Sequence, residues 1–448
     1  MTPQSTFLVM APIPPGREEE LRAFLESMNN KDVPGFANPE NKLVPFGQFK
    51  TVHFGRFLIL KDDTLDDLEP FGAPYPDAPI YLAFLVSCDG PAGALLAGLA
   101  IYAGDGLRQI FSFCEGFDPK CDLLRWMRAH LVRPRATYFN FIGRTVLQIH
   151  EEAALHDALR TLLSGLSLSA PPRQIRDALV SAVREKGVRL TKPAPTPILW
   201  FLCHRLPYHL AAVLGVFILL APVLTLSFWT ALKVYGAAIF IFAIALGLFI
   251  ARLRRPETKD PEILTPVTNE HLKKLGRIED YDPTNQYSVF GALRPGAFPL
   301  WTTRAAWWLL NVASPVLFPG GNIARVKTIH SAHWYFIEGG RRGLFFSNYD
   351  GSDEAYMDDF VNKVAFGLNF AFALVLAYPR THFLLWEGAS REQEFKNVQT
   401  RHSLPTEFWY KAYPGLSLYD IARNTRIRQG FEREDMSESE IRQWLSEI

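Results

Sequence analysis

The sequence predicts an α+β chain in which two similar halves flank a helical hairpin that crosses a membrane. Three observations predict it: a central stretch almost without charge, ordered sequence matches between the flanks, and short apolar runs alternating with helix-period segments.

From Leu210 to Ala251 the only charged side chain is Lys233. That stretch is too long for one span and suits two, because about 20 residues at about 1.5 Å rise cross a hydrocarbon core of about 30 Å. The first helix is expected near 208–228 and the second near 234–253, with Trp229, Thr230 and Lys233 in the turn. Lys192 and Arg205 before the hairpin, and Arg252, Arg254, Arg255 and Lys259 after it, outnumber that single turn lysine. The positive-inside rule therefore places both flanks in the cytoplasm. The amino terminus lacks a basic region followed by an apolar core, so no secretory signal is expected there.

The flanks match in order. Thr6 to Ile13 parallels Gln286 to Leu293, Phe49 to Phe57 parallels Val326 to Trp334, and Leu82 to Gly90 parallels Gly343 to Gly351. Leu107 to Phe113 then parallels Leu368 to Leu374, and Tyr138, Gly143 and Ile149 parallel Tyr410, Gly415 and Ile421. Each unit reads β-α-β-β-α-β, the order of a ferredoxin-like plait. Thr6 to Ile13 is strand-like, and the acids that open Arg17 to Leu25 suit the positive end of a helix. His53 to Leu60 and Ile80 to Ser87 are runs of strand length, and Tyr335 to Phe346 is a hairpin around a Gly-rich turn. Ser352 caps a helix whose apolar positions Tyr356, Met357, Phe360, Val361 and Val364 recur until Gly367, and Leu368 to Ala377 is expected as a strand. The expected organisation is a first domain over 1–165, a linker and interfacial segment over 166–205, the hairpin over 206–254, a linker over 255–284, a second domain over 285–430 and a polar tail over 431–448.

Two four-stranded sheets with helices on one face can cover each other, as in a dimeric α/β barrel, and the space between them is expected to hold a flat or apolar ligand. Trp301, Trp307 and Trp308 stand where the first unit has Glu18, Glu19 and Glu20, so this segment is expected to lie on the bilayer.

Lys+Arg 47 against Asp+Glu 46 leaves a charge of +1, which gives no basic field for nucleic acid. Charged residues are only 21% and hydrophobic ones 48%, which excludes disorder. Four scattered cysteines form no CxxC pair and support neither zinc nor a disulfide framework.

His53 and His330 occupy matched positions, as do Asp89 and Asp350, and a strand with its hairpin partner can bring each His near its Asp. Strand alternation puts His330 on the face of Ala332 and Trp334, opposite His333, and separates His53 from Arg56, so no mononuclear metal site is expected. A His held by a carboxylate serves as a haem ligand, a general base or a structural pair. Ligand contact is assigned to His330, Trp334, Tyr349, His53 and Asp89, and the candidates for chemistry are His330, Asp350 and Arg401. No GxSxG, HExxH, P-loop or GxGxxG element is present.

Thr328 to Trp334 and Leu344 to Ser352 carry a resemblance to an uncharacterised family of bacterial membrane-associated proteins with duplicated ferredoxin-like halves. More distantly, the layout is similar to dimeric α/β-barrel proteins, among them dye-decolorizing peroxidases and chlorite dismutases. The peroxidase Gly-x-x-Asp-Gly motif has its counterpart in Ser347 to Gly351, with Ser in place of the first Gly. That resemblance implies haem between the helices and sheet of one half, an axial His and a distal Arg or Asp. The sequence thus points to a membrane-anchored module holding an apolar small molecule or a partner protein. A membrane-tethered haem peroxidase and a ligand-free scaffold are the alternatives.

Overall fold

The structure, a computed structural model, describes residues 2–448 apart from 76, 141–142, 166–169, 205 and 318–325. Strand β1 (Gln4–Ile13) runs into α1 (Glu18–Glu26), whose first-turn acids complement the helix dipole. Strands β2 (Val52–Leu60) and β3 (Ile80–Asp89) are nearly continuous apolar runs because both of their faces are covered. Helices α2 (Ala92–Tyr102), α3 (Gly104–Phe111) and α4 (Leu123–Ala129) cover one face, before the short β4 (Leu131–Val132) and β5 (Ala136–Phe139). Thr145 and Gln148 form a capping box that starts α5 (Val146–Leu163), and α6 (Pro172–Glu185) opens on a proline.

Helix α7 (Ile198–His204) leads to α8 (Leu206–Thr225) and α9 (Phe228–Lys259), both long and apolar enough to cross a membrane. Their apolar stretches are unburied within the protein. The turn is shorter than expected: Leu226 and Ser227 make it, Ser227 caps α9, and Trp229, Thr230 and Lys233 lie in the first turns of that helix. Helix α10 (Asn269–Leu275) precedes β6 (Thr284–Ala292) and α11 (Ala297–Leu317), then the pair β7 (Ile329–Ile337) and β8 (Arg342–Asp350).

Next comes α12 (Asp353–Phe372), capped by Ser352. It overruns the expected stop at Gly367 and absorbs the start of the expected Leu368–Ala377 strand. Val364, Leu368 and Ala371 continue the buried spacing set by Tyr356 and Met357, and a short apolar run alone does not separate strand from helix. The matched Leu107–Phe111 is likewise helical. A small hairpin of β9 (Thr381–His382) and β10 (Trp386–Glu387), then α13 (Glu392–His402), β11 (Phe408–Lys411), α14 (Leu418–Glu432) and α15 (Glu438–Leu445) complete the chain. The carboxy-terminal helix is packed rather than solvated: Ile441 and Trp444 join α6 and the end of α14 in one apolar cluster. The expected linker and tail segments therefore meet.

Two antiparallel sheets result, ordered β11-β2-β3-β1-β4 and β5-β7-β8-β6. Each takes its strand beside β2 or β7 from the other flank: Phe408 pairs with Phe57, and Ala136 pairs with Trp334. The sheets face one another across Leu8, Leu58 and Leu85 on one side and Phe290, Tyr335 and Phe346 on the other. The space expected to hold a ligand is filled by these side chains. Helices cover the two outer faces.

Candidate functional site

His53 is the extra residue of a bulge between Val52 and Phe54, and His330 is the extra residue of the equivalent bulge between Ile329 and Ser331. A bulge leaves one residue outside the ladder and re-aims its side chain. Simple alternation therefore fails here, and the expected grouping of His330 with Ala332 and Trp334 is corrected. The His330 ring lies edge-on to Phe54 of the facing sheet, centroids 5.5 Å apart, whereas Ala332 and Trp334 belong to the outer face.

Both histidines meet the aspartate ending the neighbouring strand. His53 Nε2 lies 2.9 Å from Asp89 Oδ1, and His330 Nε2 lies 2.7 Å from Asp350 Oδ1. The second oxygen of each aspartate accepts a helix-starting N–H, from Val146 of α5 at 2.9 Å and from Leu418 of α14 at 2.6 Å. Burial pulls the Asp350 carboxyl up, but His330, the Leu418 N–H and the Thr284 hydroxyl outweigh it and hold the group below its ordinary value. Tyr413 joins the two clusters: its hydroxyl donates to His53 Nδ1 at 3.2 Å, and its ring stacks near His330. Burial, then the Asp89 and Asp350 charges, keep that phenol protonated.

The adjoining cavity is about 20 Å³, room for about one water molecule. With both aspartate oxygens engaged and the histidines buried, the arrangement fastens helix starts to strand ends. It presents no aligned nucleophile to a substrate.

Deeper between the sheets, Arg56 donates to Tyr287 O at 3.1 Å, Ser288 Oγ at 2.9 Å and Ser347 O at 3.0 Å, and also to Gln286 and Asn348. Burial lowers its pKa to about 9, and neighbouring Tyr335 and Tyr349 act the other way. It remains cationic at neutral pH. His333 sits near Ser87 at 3.3 Å, where burial and then the Arg56 charge push its pKa down to about 3. Reading β2 as simply apolar misses Arg56, although an arginine within Val-His-Phe-Gly-Arg-Phe-Leu-Ile-Leu is itself the signal.

Trp334 and Tyr349 lie in the apolar cluster on the outer face of the second sheet, away from the His–Asp pairs. Arg401 is elsewhere again, ion-paired with Asp67. These residues do not fit a haem. His330 Nε2 is engaged by Asp350 beside a one-water cavity, and among the described residues no histidine, cysteine or arginine lines the space between helices and sheet in the second half.

That outer space is the second feature of interest. A cavity of about 380 Å³, walled almost wholly by carbon, lies between the second sheet and helices α11 and α12. Ala332, Trp334 and Phe345 form its floor, Leu310 and Ser314 one side, and Phe360, Gly367 and Ala371 another. Val364 interrupts α12 with φ −144°, and residues on both sides of this kink line the cavity. The indole nitrogen of Trp334 is buried and has no hydrogen-bond partner among the described residues. A larger groove of about 510 Å³ runs beside β11 but carries Lys50, Glu40, Lys411 and Asp282 in its walls.

The apolar cavity is linked to the foot of α9 through the β9–β10 hairpin, whose Leu385 lines it beside Leu384, a partner of Glu257. Leu253 is buried in the same cluster as the cavity floor, and Phe249 touches Phe298 of α11 with centroids 5.6 Å apart. Glu257 accepts from Thr381 Oγ1 at 3.0 Å and from the Leu384 N–H at 2.8 Å, and Arg254 lies over the Phe383 ring. On α11 and β10, Trp301, Trp308 and Trp386 are 64%, 62% and 60% exposed. Trp307, expected with its neighbours on the bilayer, is instead buried at 1% and donates to Ala371 O at 2.9 Å.

Searched against protein-family models, curated proteins and solved structures, the chain matches none.

The cavity was not legible from the sequence. It depends on a helix kink and on β5 arriving from the other flank, neither of which a local pattern reveals.

Proposed function

We propose that this protein is a membrane-anchored binding module whose body lies against the cytoplasmic surface and holds an apolar small molecule. The observation that carries the reading is the carbon-lined cavity of about 380 Å³, joined through the β9–β10 hairpin to the foot of a membrane-length helix. Small-molecule sites are concave and mostly apolar, in the range of about 300–1,000 Å³, with a few polar groups to set orientation. Trp334 is proposed as an apolar ligand contact at the cavity floor, and His53, His330 and Asp89 support the frame.

In this reading the halves are duplicated ferredoxin-like units closed over each other. Matched bulges, matched His–Asp pairs and matched sheet orders support the duplication. Because the flanks exchange strands and pack as one body, both ends of the hairpin lie on one side of any membrane it spans, and the basic flanks favour the cytoplasmic side.

The test is mass spectrometry of the full chain released from native-lipid particles. One apolar molecule per chain is the expected result. A protein that is reproducibly empty, with its fold intact, would refute a binding role.

A further inference from the structure

We infer that the cavity accepts a single acyl chain drawn laterally from the adjoining leaflet. This rests on the binding-module reading and names the ligand class within it.

Three observations converge. The size sits at the low end for small-molecule sites, which suits one chain rather than a two-chain lipid or a macrocycle. Among the described residues the lining is almost entirely side-chain carbon and contains no charged residue, so it suits a hydrocarbon rather than a polar metabolite. The rim is continuous with membrane-seeking surface: Phe366 and Leu385 line the cavity and are themselves exposed, Leu385 is followed by exposed Trp386, and Leu310 follows exposed Trp308 and Leu309. A chain leaving the bilayer here stays in contact with apolar side chains.

The indole nitrogen of Trp334 is itself closed off from the cavity, so the lining offers almost only carbon. Fatty acids and single-chain lipids both supply one hydrocarbon chain.

The experiment uses the full chain in lipid nanodiscs titrated with cis-parinaric acid, whose emission rises in a dry site, with empty nanodiscs giving the partition background. Saturable binding at one site per chain, displaced by palmitate, is expected. Gly367→Leu places a side chain where a Cβ meets only Val364 at 4.0 Å, so it fills the cavity without a clash in the helix. It should weaken binding about tenfold or more, equivalent to about 1.4 kcal/mol. Ala371→Leu is the second filling variant should the first fail to fold. A diazirine-tailed palmitate and a diazirine-tailed lysophosphatidylcholine distinguish the two sources by which of them labels the lining peptides.

Unchanged affinity in both folded filling variants overturns the inference. If parinaric acid fails to bind but mass spectrometry finds a different apolar molecule that Gly367→Leu expels, the acyl-chain assignment falls and the binding module stands. If neither probe nor native ligand is found, both fall.

Discussion

Asp350 and Leu418 meet at 2.6 Å, the carboxylate oxygen accepting the first N–H of α14. Asp89 does the same for Val146 of α5 at 2.9 Å. In each flank the chain leaves its own sheet to add a strand to the other, then returns to an aspartate at the end of its own hairpin. The helix-start bond is what brings it back, and the bulged histidine holds the aspartate in place.

Removing that anchor should be costly. Asp350→Ala strands His330 and the Leu418 N–H, and the loss of such a buried pair is about 3 kcal/mol. Because the folded-state pKa of Asp350 is depressed, its contribution is present at neutral pH and is lost as pH falls below about 4, the unfolded-state value. Denaturant unfolding of the detergent-solubilised chain at pH 7 and in acid measures both effects. Equal stability of the variant and the parent at pH 7 would refute the anchoring role.

Arg56 bonds the two sheets through a planar fork of donors. Arg56→Met leaves several buried acceptors unpaired and should destabilise by about 3–5 kcal/mol, whereas Arg56→Lys keeps the charge, loses the fork and falls between. Melting temperatures in one detergent rank the three proteins. A methionine variant as stable as the parent would mean that packing, not the guanidinium, joins the sheets.

Glu279 lies near Asp353 and Asp280. Burial first, then these like charges, raise its pKa to about 8, and burial with the Asp280 charge raises Asp353 to about 6. The folded state then keeps a proton that the unfolded chain releases above about 4.3, so stability falls as pH climbs from there to about 8. Glu279→Gln should flatten that decline and be the more stable protein above pH 8. Identical pH profiles would contradict the assignment.

Glu257 ties α9 to the β9–β10 hairpin. Glu257→Ala should speed amide exchange across Thr381 to Trp386 while leaving the two sheets protected, as read by hydrogen-exchange mass spectrometry. Faster exchange throughout the chain would instead make Glu257 a global support.

The exposed tryptophans should report the lipid surface. In nanodiscs carrying headgroup-region nitroxide lipids, replacing Trp301, Trp308 and Trp386 together by Ser should reduce the quenchable emission and leave that of Trp229 at the hairpin turn, while the hairpin keeps the chain in the membrane. Unaltered quenching would detach this surface from the bilayer.

Local patterns carried much of the architecture. The helical hairpin is visible because charge vanishes between Leu210 and Ala251 apart from Lys233, and the paired histidines and aspartates are visible because they recur at matched positions. Ladder register is not a local property, so the bulges that turn His53 and His330 inward escaped the alternation argument. The exchange of β5 and β11 escaped for the same reason, since an isolated four-residue strand does not declare its partner. The apolar run at Leu368 fits both periods, and only packing against the sheet selects the helix. Alternation groups Trp334 with His330, but Trp334 stands on the opposite side of the sheet, at the floor of a cavity no motif announces.

An electron cryomicroscopy map of the full chain in a native-lipid nanodisc tests the central claim most directly. Elongated density running from the leaflet between α11 and α12 to Trp334, with Trp301, Trp308 and Trp386 at headgroup depth, is the predicted result. Side chains closing that space, with those tryptophans standing in water, would contradict it.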